Sequence, residues 1–177
     1  MARTLKYAIL GMICQKPMTG YDITQEFQTT LSEFWTAGHS QIYPELKKLT
    51  EEGLIDFEVE ISGTVLEKKV YHLTEEGKKE FNEWLIQDVP MQPTAKDVFR
   101  LRMYFSGQMP GPIRRNLIES QLKQHRERLK HLKENQKKFK NVPEPEAQEM
   151  GDYLVLMGAV MREETTVLWL EKCLKMV

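Results

Sequence analysis

The residues best placed to do chemistry fall in one stretch, His39 to Ile55, HSQIYPELKKLTEEGLI. Ile42, Leu46 and Leu49 recur at i, i+4 and i+7, so they line one face of a helix. At about 100° per residue, Ser40, Pro44, Lys47 and Glu51 point the other way, flanked by Gln41, Tyr43 and Lys48. This outward set mixes small polar, aromatic and basic groups instead of the acid–base mixture of an ordinary solvated face. Short polar groups reach base edges and cations meet phosphates, so the set suits contact with a DNA major groove. Taken alone, Lys47 and Lys48 would equally serve a solvated face. Enzyme chemistry has less to stand on. No nucleophile–base pair or phosphate-cradling glycine loop is present, and the four histidines (His39, His72, His125, His131) lack metal-ligand spacing.

The elements around that stretch fix how it is presented. Leu5, Ala8, Ile9 and Met12 predict a helix from Thr4 to about Gln15. Thr19 then caps a second helix with Asp22 in its first turn and Ile23, Phe27 and Leu31 as its buried stripe. Gly38 breaks the chain, Ser40 offers the cap of the third helix, and Pro44 falls at or just past its first turn, where a missing N–H costs little. Leu54 to Ile61 and Val65 to Leu73 read as two strands joined at Ser62-Gly63-Thr64, and Thr74 caps a fourth helix. Three helices, a hairpin and a helix make a winged helix-turn-helix, with the third helix for recognition and the hairpin as wing.

The second half reads as helical. A proline-punctuated linker, Gln87 to Thr94, leads to a short helix over Ala95 to Phe105. A long helix follows from Pro112 to about Lys140. Its seam, Ile118, Leu122, His125, Leu129, Leu132, Gln136 and Phe139, steps by fours and threes as a coiled coil does, with His125 and Gln136 able to fix register. The last helix runs from Asp152 to about Met176, with Met157, Met161, Leu168 and Trp169 inward. The fold class is therefore mainly α with a small β-hairpin. A winged helix-turn-helix occupies residues 1–87, and a helical, coiled-coil-like dimerisation and effector domain occupies 88–177.

Composition sets outer limits. The chain has 177 residues, 41% of them apolar, enough for a real core. The opening MARTLKYAIL does not read as a secretory signal, and no apolar run is long enough for a membrane span. Cys14 and Cys173 sit in apolar helical patterns and read as buried, reduced thiols of a cytoplasmic protein. Residues 1–85 hold nine basic and fourteen acidic residues, a net of −5, while the remainder holds sixteen and twelve, a net of +4. The acidic first half weighs against simple electrostatic DNA binding and predicts reliance on direct and shape readout.

Four segments, LKYAILGMI, MTGYDI, FWTAGHSQIYPELKKLTEEGLI and LEKKVYHLTEEGKKEFNEWL, resemble the PadR family of bacterial transcriptional regulators. The resemblance covers nearly all of the first 85 residues, and the second half, including GDYLVL, is similar to the helical domain of long-tailed members. Within the family it is closest to the phenolic-acid-responsive type, which represses a phenolic acid decarboxylase gene and leaves DNA when a hydroxycinnamic acid is bound. The resemblance implies a cytoplasmic homodimer on an inverted repeat of double-stranded DNA, needing no cofactor, metal or membrane and released by a small aromatic effector such as p-coumaric acid. It implies that Ser40, Gln41 and Tyr43 approach the bases or flanking phosphates. Lys47 or Lys48 meets the backbone, and Thr64, Lys68, Lys69 and Tyr71 belong to the wing. It puts the effector between the winged helix and the C-terminal helices, with Trp35, His39, Arg100, Asp152, Tyr153 and Met157 as its contacts.

Asp152 stands where the phenolic-acid type can carry a histidine. An aspartate repels a carboxylate unless it is protonated or turned to a phenol hydroxyl, and Arg100 or Arg102 would supply the missing positive charge. Two other readings compete. A multidrug-type sensor of cationic or neutral aromatics is favoured by Asp152 and the methionines. A winged-helix protein-interaction module without DNA binding is favoured by the acidic first half.

Overall fold

The computed structural model describes residues 3–29, 31–32, 34–62, 66–91 and 93–177, without the side chains of residues 61, 62, 66 and 67. The chain forms two compact units, Met1–Gln92 and Pro93–Val177. In the first, α1 (Thr4–Gln15), β1 (Met18–Thr19), α2 (Gly20–Gln28), α3 (His39–Glu51), β2 (Ile55–Ser62), β3 (Leu66–Leu73) and α4 (Glu75–Leu85) follow in order.

The periodic apolar positions build a single core. Ile9, Leu10 and Ile13 of α1 meet Ile23 and Phe27 of α2, Ile42, Leu46 and Leu49 of α3, and Ile55 and Tyr71 of the sheet. Each such side chain contributes about 1.5–3 kcal/mol by leaving water. Leu31 lies beyond the end of α2 and packs on this core from the loop. Thr19 caps α2 as expected: its hydroxyl accepts from the Asp22 amide, and the Asp22 carboxylate accepts from the Thr19 amide. Thr74 caps α4, accepting from Gly77 N–H at 3.0 Å and donating to the Gly53 carbonyl at 2.8 Å. Gly53, at φ 71°, takes the left-handed turn that ends α3.

The expected hairpin is part of a three-stranded antiparallel sheet of order β1-β3-β2. β1 pairs Met18 with Tyr71 and Thr19 with Val70. Two residues are too few to leave an alternating pattern, so this strand has no signature in the sequence.

Helix boundaries shift in places. α3 starts at His39 with Gly38 as N-cap, so Ser40 is inside the helix and caps nothing. The Gln41 side-chain oxygen accepts from the Gly38 amide at 3.1 Å instead. Pro44 is thus the sixth helical residue, in the second turn. Having no N–H, it leaves the Ser40 carbonyl without its i+4 donor.

In the second unit, α5 (Val98–Tyr104) is capped by Asp97, shorter than the span expected from Ala95. A 3₁₀ turn, Ser106–Gln108, precedes α6 (Gly111–Gln136), and α7 (Glu149–Met176) completes the unit. α6 and α7 pack through two apolar clusters. Leu132, Leu156, Ala159 and Val160 form one, and Ile118, Leu122 and Leu170 the other. Between them Glu163, 14% exposed, accepts from His125 at 2.6 Å and from Arg128 at 3.2 Å.

The expected inward face of α7 needs correction. Leu156, Ala159, Val160 and Leu170 are buried, whereas Met161 and Leu168 are 59% and 52% exposed. They align with exposed Leu154 at seven-residue spacing as a second apolar stripe. Cys14 is also exposed, contrary to expectation, and both cysteines are free. No helix among the described residues is long and apolar enough to cross a membrane.

Candidate nucleic-acid interface and effector residues

α3 buries Ile42, Glu45, Leu46 and Leu49, and this determines what faces outward. His39, Ser40, Gln41, Tyr43, Pro44, Lys47 and Lys48 are all exposed. The outward face is therefore the one read from the spacing. Lys47 is 79% exposed and lies 3.8 Å from Glu51 one turn on, a pair too solvated to bind it tightly. The His39 ring stacks on Tyr43 at 4.1 Å between centroids. The Tyr43 ring also lies over Gly20 at the start of α2, where a Cβ would sit 2.9 Å from Cζ.

That contact brings the N-terminus of α2 beside the recognition helix. Its first-turn amides carry partial positive charge, the arrangement that receives a phosphate. Tyr21, in the same turn, is 66% exposed. Sequence reasoning missed Tyr21 because a lone exposed tyrosine breaks no periodicity. An aromatic residue two positions after the cap of the helix preceding the recognition helix was the available signal.

The wing residues divide by strand parity. Lys68 pairs across the sheet with Glu60 and lies near enough to Asp22 to help lower its pKa. The main cause there is Thr19, whose hydroxyl and amide both donate to the Asp22 carboxylate. Lys69 is on the other face, its ammonium 3.9 Å above the Phe57 ring. Tyr71 must be corrected from wing surface to core: it is 8% exposed, edge-on to Phe57, and burial pushes its phenol pKa up. Thr64 lies outside the described residues.

The acidity of this unit is partly neutralised within it. Arg3 binds the buried carboxylate of Glu45 at 2.6 Å and also holds Glu52. The Glu52 carboxyl is thereby kept below its usual range. Lys6 pairs with Glu80.

The expected effector residues are divided between the two units. Trp35 and His39 belong to the first unit, and Trp35 is 38% exposed. In the second unit, Asp152 is held by Lys138, and Tyr153 is edge-on to Phe139 at 5.4 Å, both near the start of α7. Met157 follows one turn later, half-buried. Arg100 lies elsewhere, 5.6 Å from the Trp169 ring and 3.2 Å from Asp97. Trp169 is 17 residues along α7 from Asp152, roughly 25 Å at 1.5 Å per residue. Arg100 therefore cannot neutralise an acid held at Asp152 and Tyr153 of the same protomer, and Arg102 is simply exposed. The cation at Asp152 is Lys138.

A model described as the transcriptional regulator PadR-like family matches residues 9–83, and one described as virulence activator alpha C-term matches residues 95–177. The negative transcriptional regulator PadR of Bacillus subtilis (strain 168) is 45% identical over 178 residues, covering 99% of this chain and 98% of that one. The crystal structure of B. subtilis PadR in complex with operator DNA is similar at a TM-score of 0.93 and 45% identity, covering 98% and 99% of the two chains. Its complex with p-coumaric acid matches at 0.87 and 42%, covering 98% of each. The Vibrio cholerae virulence activator AphA matches at 0.71 and 29%, covering 97% and 96%.

Proposed function

Since this chain belongs to the PadR-like family of transcriptional regulators, we propose that it is a DNA-binding repressor, a homodimer on an inverted-repeat operator that a phenolic acid such as p-coumaric acid releases. The regulated gene is a phenolic acid decarboxylase, and the protein acts in the cytoplasm as a regulator, not an enzyme. The observation that carries this reading is the end-to-end match to a negative regulator whose structures hold operator DNA in one case and p-coumaric acid in another.

The division of labour follows the chain, with residues 1–87 for DNA and 88–177 for dimerisation and effector response. Ser40, Gln41 and Tyr43 approach the bases. Lys47, Lys48, Lys68 and the N-terminus of α2 with Tyr21 meet phosphates. Support comes from the shared exposure of these groups and the contact of Tyr43 with Gly20. The exposed stripe of Leu154, Met161 and Leu168 is available for the second protomer. A dimer places two recognition helices on half-sites one helical turn apart. The acid acts by binding better to the DNA-incompetent state, because a ligand with equal affinity for both states shifts nothing. With Lys138 beside it, Asp152 presents less negative charge to an acidic effector, which favours the phenolic-acid reading over a sensor of cations.

The deciding experiment is binding to a duplex carrying the promoter of its own or the neighbouring gene, over a salt series, with and without p-coumaric acid. Tight, sequence-dependent binding that the acid releases is expected. Binding indifferent to the acid would redirect the effector assignment, and absence of specific binding would overturn the repressor.

A further inference from the structure

At the end of the second unit away from Asp152, α5, the start of α6 and the last turns of α7 line a half-open cavity of about 180 Å³. Its walls include Phe99, Met103, Trp169 and Cys173. Phe99 stands edge-on to Trp169, with 6.0 Å between ring centroids. Arg114 also lines the cavity. Its Nε is shielded from solvent and has no hydrogen-bond partner, and it forms no ion pair among the described residues. The next residue behaves differently: Arg115 donates to the Val177 carbonyl at 2.8 Å and pairs with Glu119 at 3.5 Å.

A guanidinium stays charged at any physiological pH, and its planar fork matches a carboxylate. Leaving such a group part-buried without a counter-charge is unfavourable, so the site gains when an anion arrives. Apart from Ser106, the rest of the wall is apolar and aromatic, and its sulfur-bearing side chains adapt to a ring. A dry cavity of roughly 150 Å³ is known to hold benzene, so this one has room for a single ring with a short acidic arm.

We propose that this cavity binds a one-ring aromatic monocarboxylate, with benzoate as the simplest member. The ring lies against Phe99 and Trp169 and the carboxylate pairs with Arg114. An aliphatic acid lacks the ring and a neutral aromatic leaves Arg114 unpaired, so both bind more weakly. This site is separate from the residues near Asp152, and it does not depend on the repressor reading.

The test titrates the full chain with benzoate and with benzyl alcohol, followed by saturation-transfer NMR, for the wild type, Arg114→Gln and Met103→Trp. Arg114→Gln is expected to weaken benzoate about tenfold or more, the scale of one charge-assisted hydrogen bond, and to leave benzyl alcohol unchanged. Met103→Trp fills the cavity and abolishes both. Circular dichroism melts establish that each variant is folded. Equal benzoate affinity in folded Arg114→Gln, benzoate binding retained by folded Met103→Trp, or no benzoate binding by the wild type overturns the proposal. Operator binding of Arg114→Gln, measured alongside, stays at wild-type strength, so a fault in DNA recognition is not mistaken for a fault in this cavity.

Discussion

The ring of Tyr43 lies so close over Gly20 that a single added carbon on Gly20 would sit 2.9 Å from its Cζ. The first residue of α2 is therefore a glycine for the sake of a side chain on α3. Alanine at this helical position is not itself unfavourable, and the clash is with the far end of a movable side chain. Gly20→Ala should therefore leave the melting temperature nearly unchanged while displacing Tyr43. Operator affinity, read by fluorescence anisotropy, should fall about tenfold, the scale of one lost base or phosphate contact. A folded Gly20→Ala protein with wild-type affinity would remove Tyr43 from the DNA face.

The two tyrosines that the family resemblance places in the recognition helix and the wing should behave differently. Tyr71→Ala opens the core and should cost about 3–5 kcal/mol in urea unfolding, as large aromatic truncations do. Tyr43→Ala, at an exposed site, should cost under about 1 kcal/mol and act on operator affinity. Similar stability losses in the two variants would contradict the burial difference between them.

Salt dependence should sort the lysines. Lys47→Ala and Lys68→Ala should each weaken operator binding and reduce the slope of log K against log salt by about one phosphate's worth. Lys69, lying over Phe57, should change the slope less. Equal slopes for all three variants would show that wing parity does not decide phosphate contact.

Arg3 links stability to pH. The Glu52 carboxyl is held below its usual 4.5, chiefly by the hydrogen bond from Arg3. A lowered carboxyl stabilises the fold above that value and loses its contribution as pH falls through the folded pKa. Arg3→Ala also strips the buried Glu45 carboxylate of its cation, costing about 1–3 kcal/mol near neutrality. Melts over pH 3–8 should show the gap between wild type and Arg3→Ala widest at neutral pH and closing below about pH 4.5. A gap that does not vary with pH would exclude this ion pair as its cause.

The outer stripe of α7 gives a fifth prediction. Met161→Glu or Leu168→Glu should shift the protein toward monomer in sedimentation equilibrium without melting α6 and α7, because both side chains are exposed within one chain. An unchanged dimer would place the interface elsewhere.

How much of this was legible in the sequence varied with the physics of each element. Ile42, Leu46 and Leu49 define α3 because only one face is apolar, and the same holds for α2 with Ile23 and Phe27. α7 misled because it is apolar on two sides: Leu156, Ala159, Val160 and Leu170 serve the seam, and Leu154, Met161 and Leu168 lie outside it. A single period cannot say which stripe meets α6. Tyr71 misled because strand alternation gives parity but not which parity is buried. Arg100 misled because likeness to a family gives residues without the distance along α7 that separates Trp169 from Asp152.

Finally, the two-residue strand β1 sets an order of events during synthesis. Met18 waits for Tyr71, 53 positions later, and Thr19, which starts α2, waits for Val70. At about 5–20 residues per second, α1 and α2 leave the ribosome several seconds before the strand that completes their sheet. A nascent chain stopped before Leu73 would carry all three leading helices and still lack a closed domain. The sheet of this unit therefore closes only once β3 has been made, whereas the packing of α1, α2 and α3 does not wait for it.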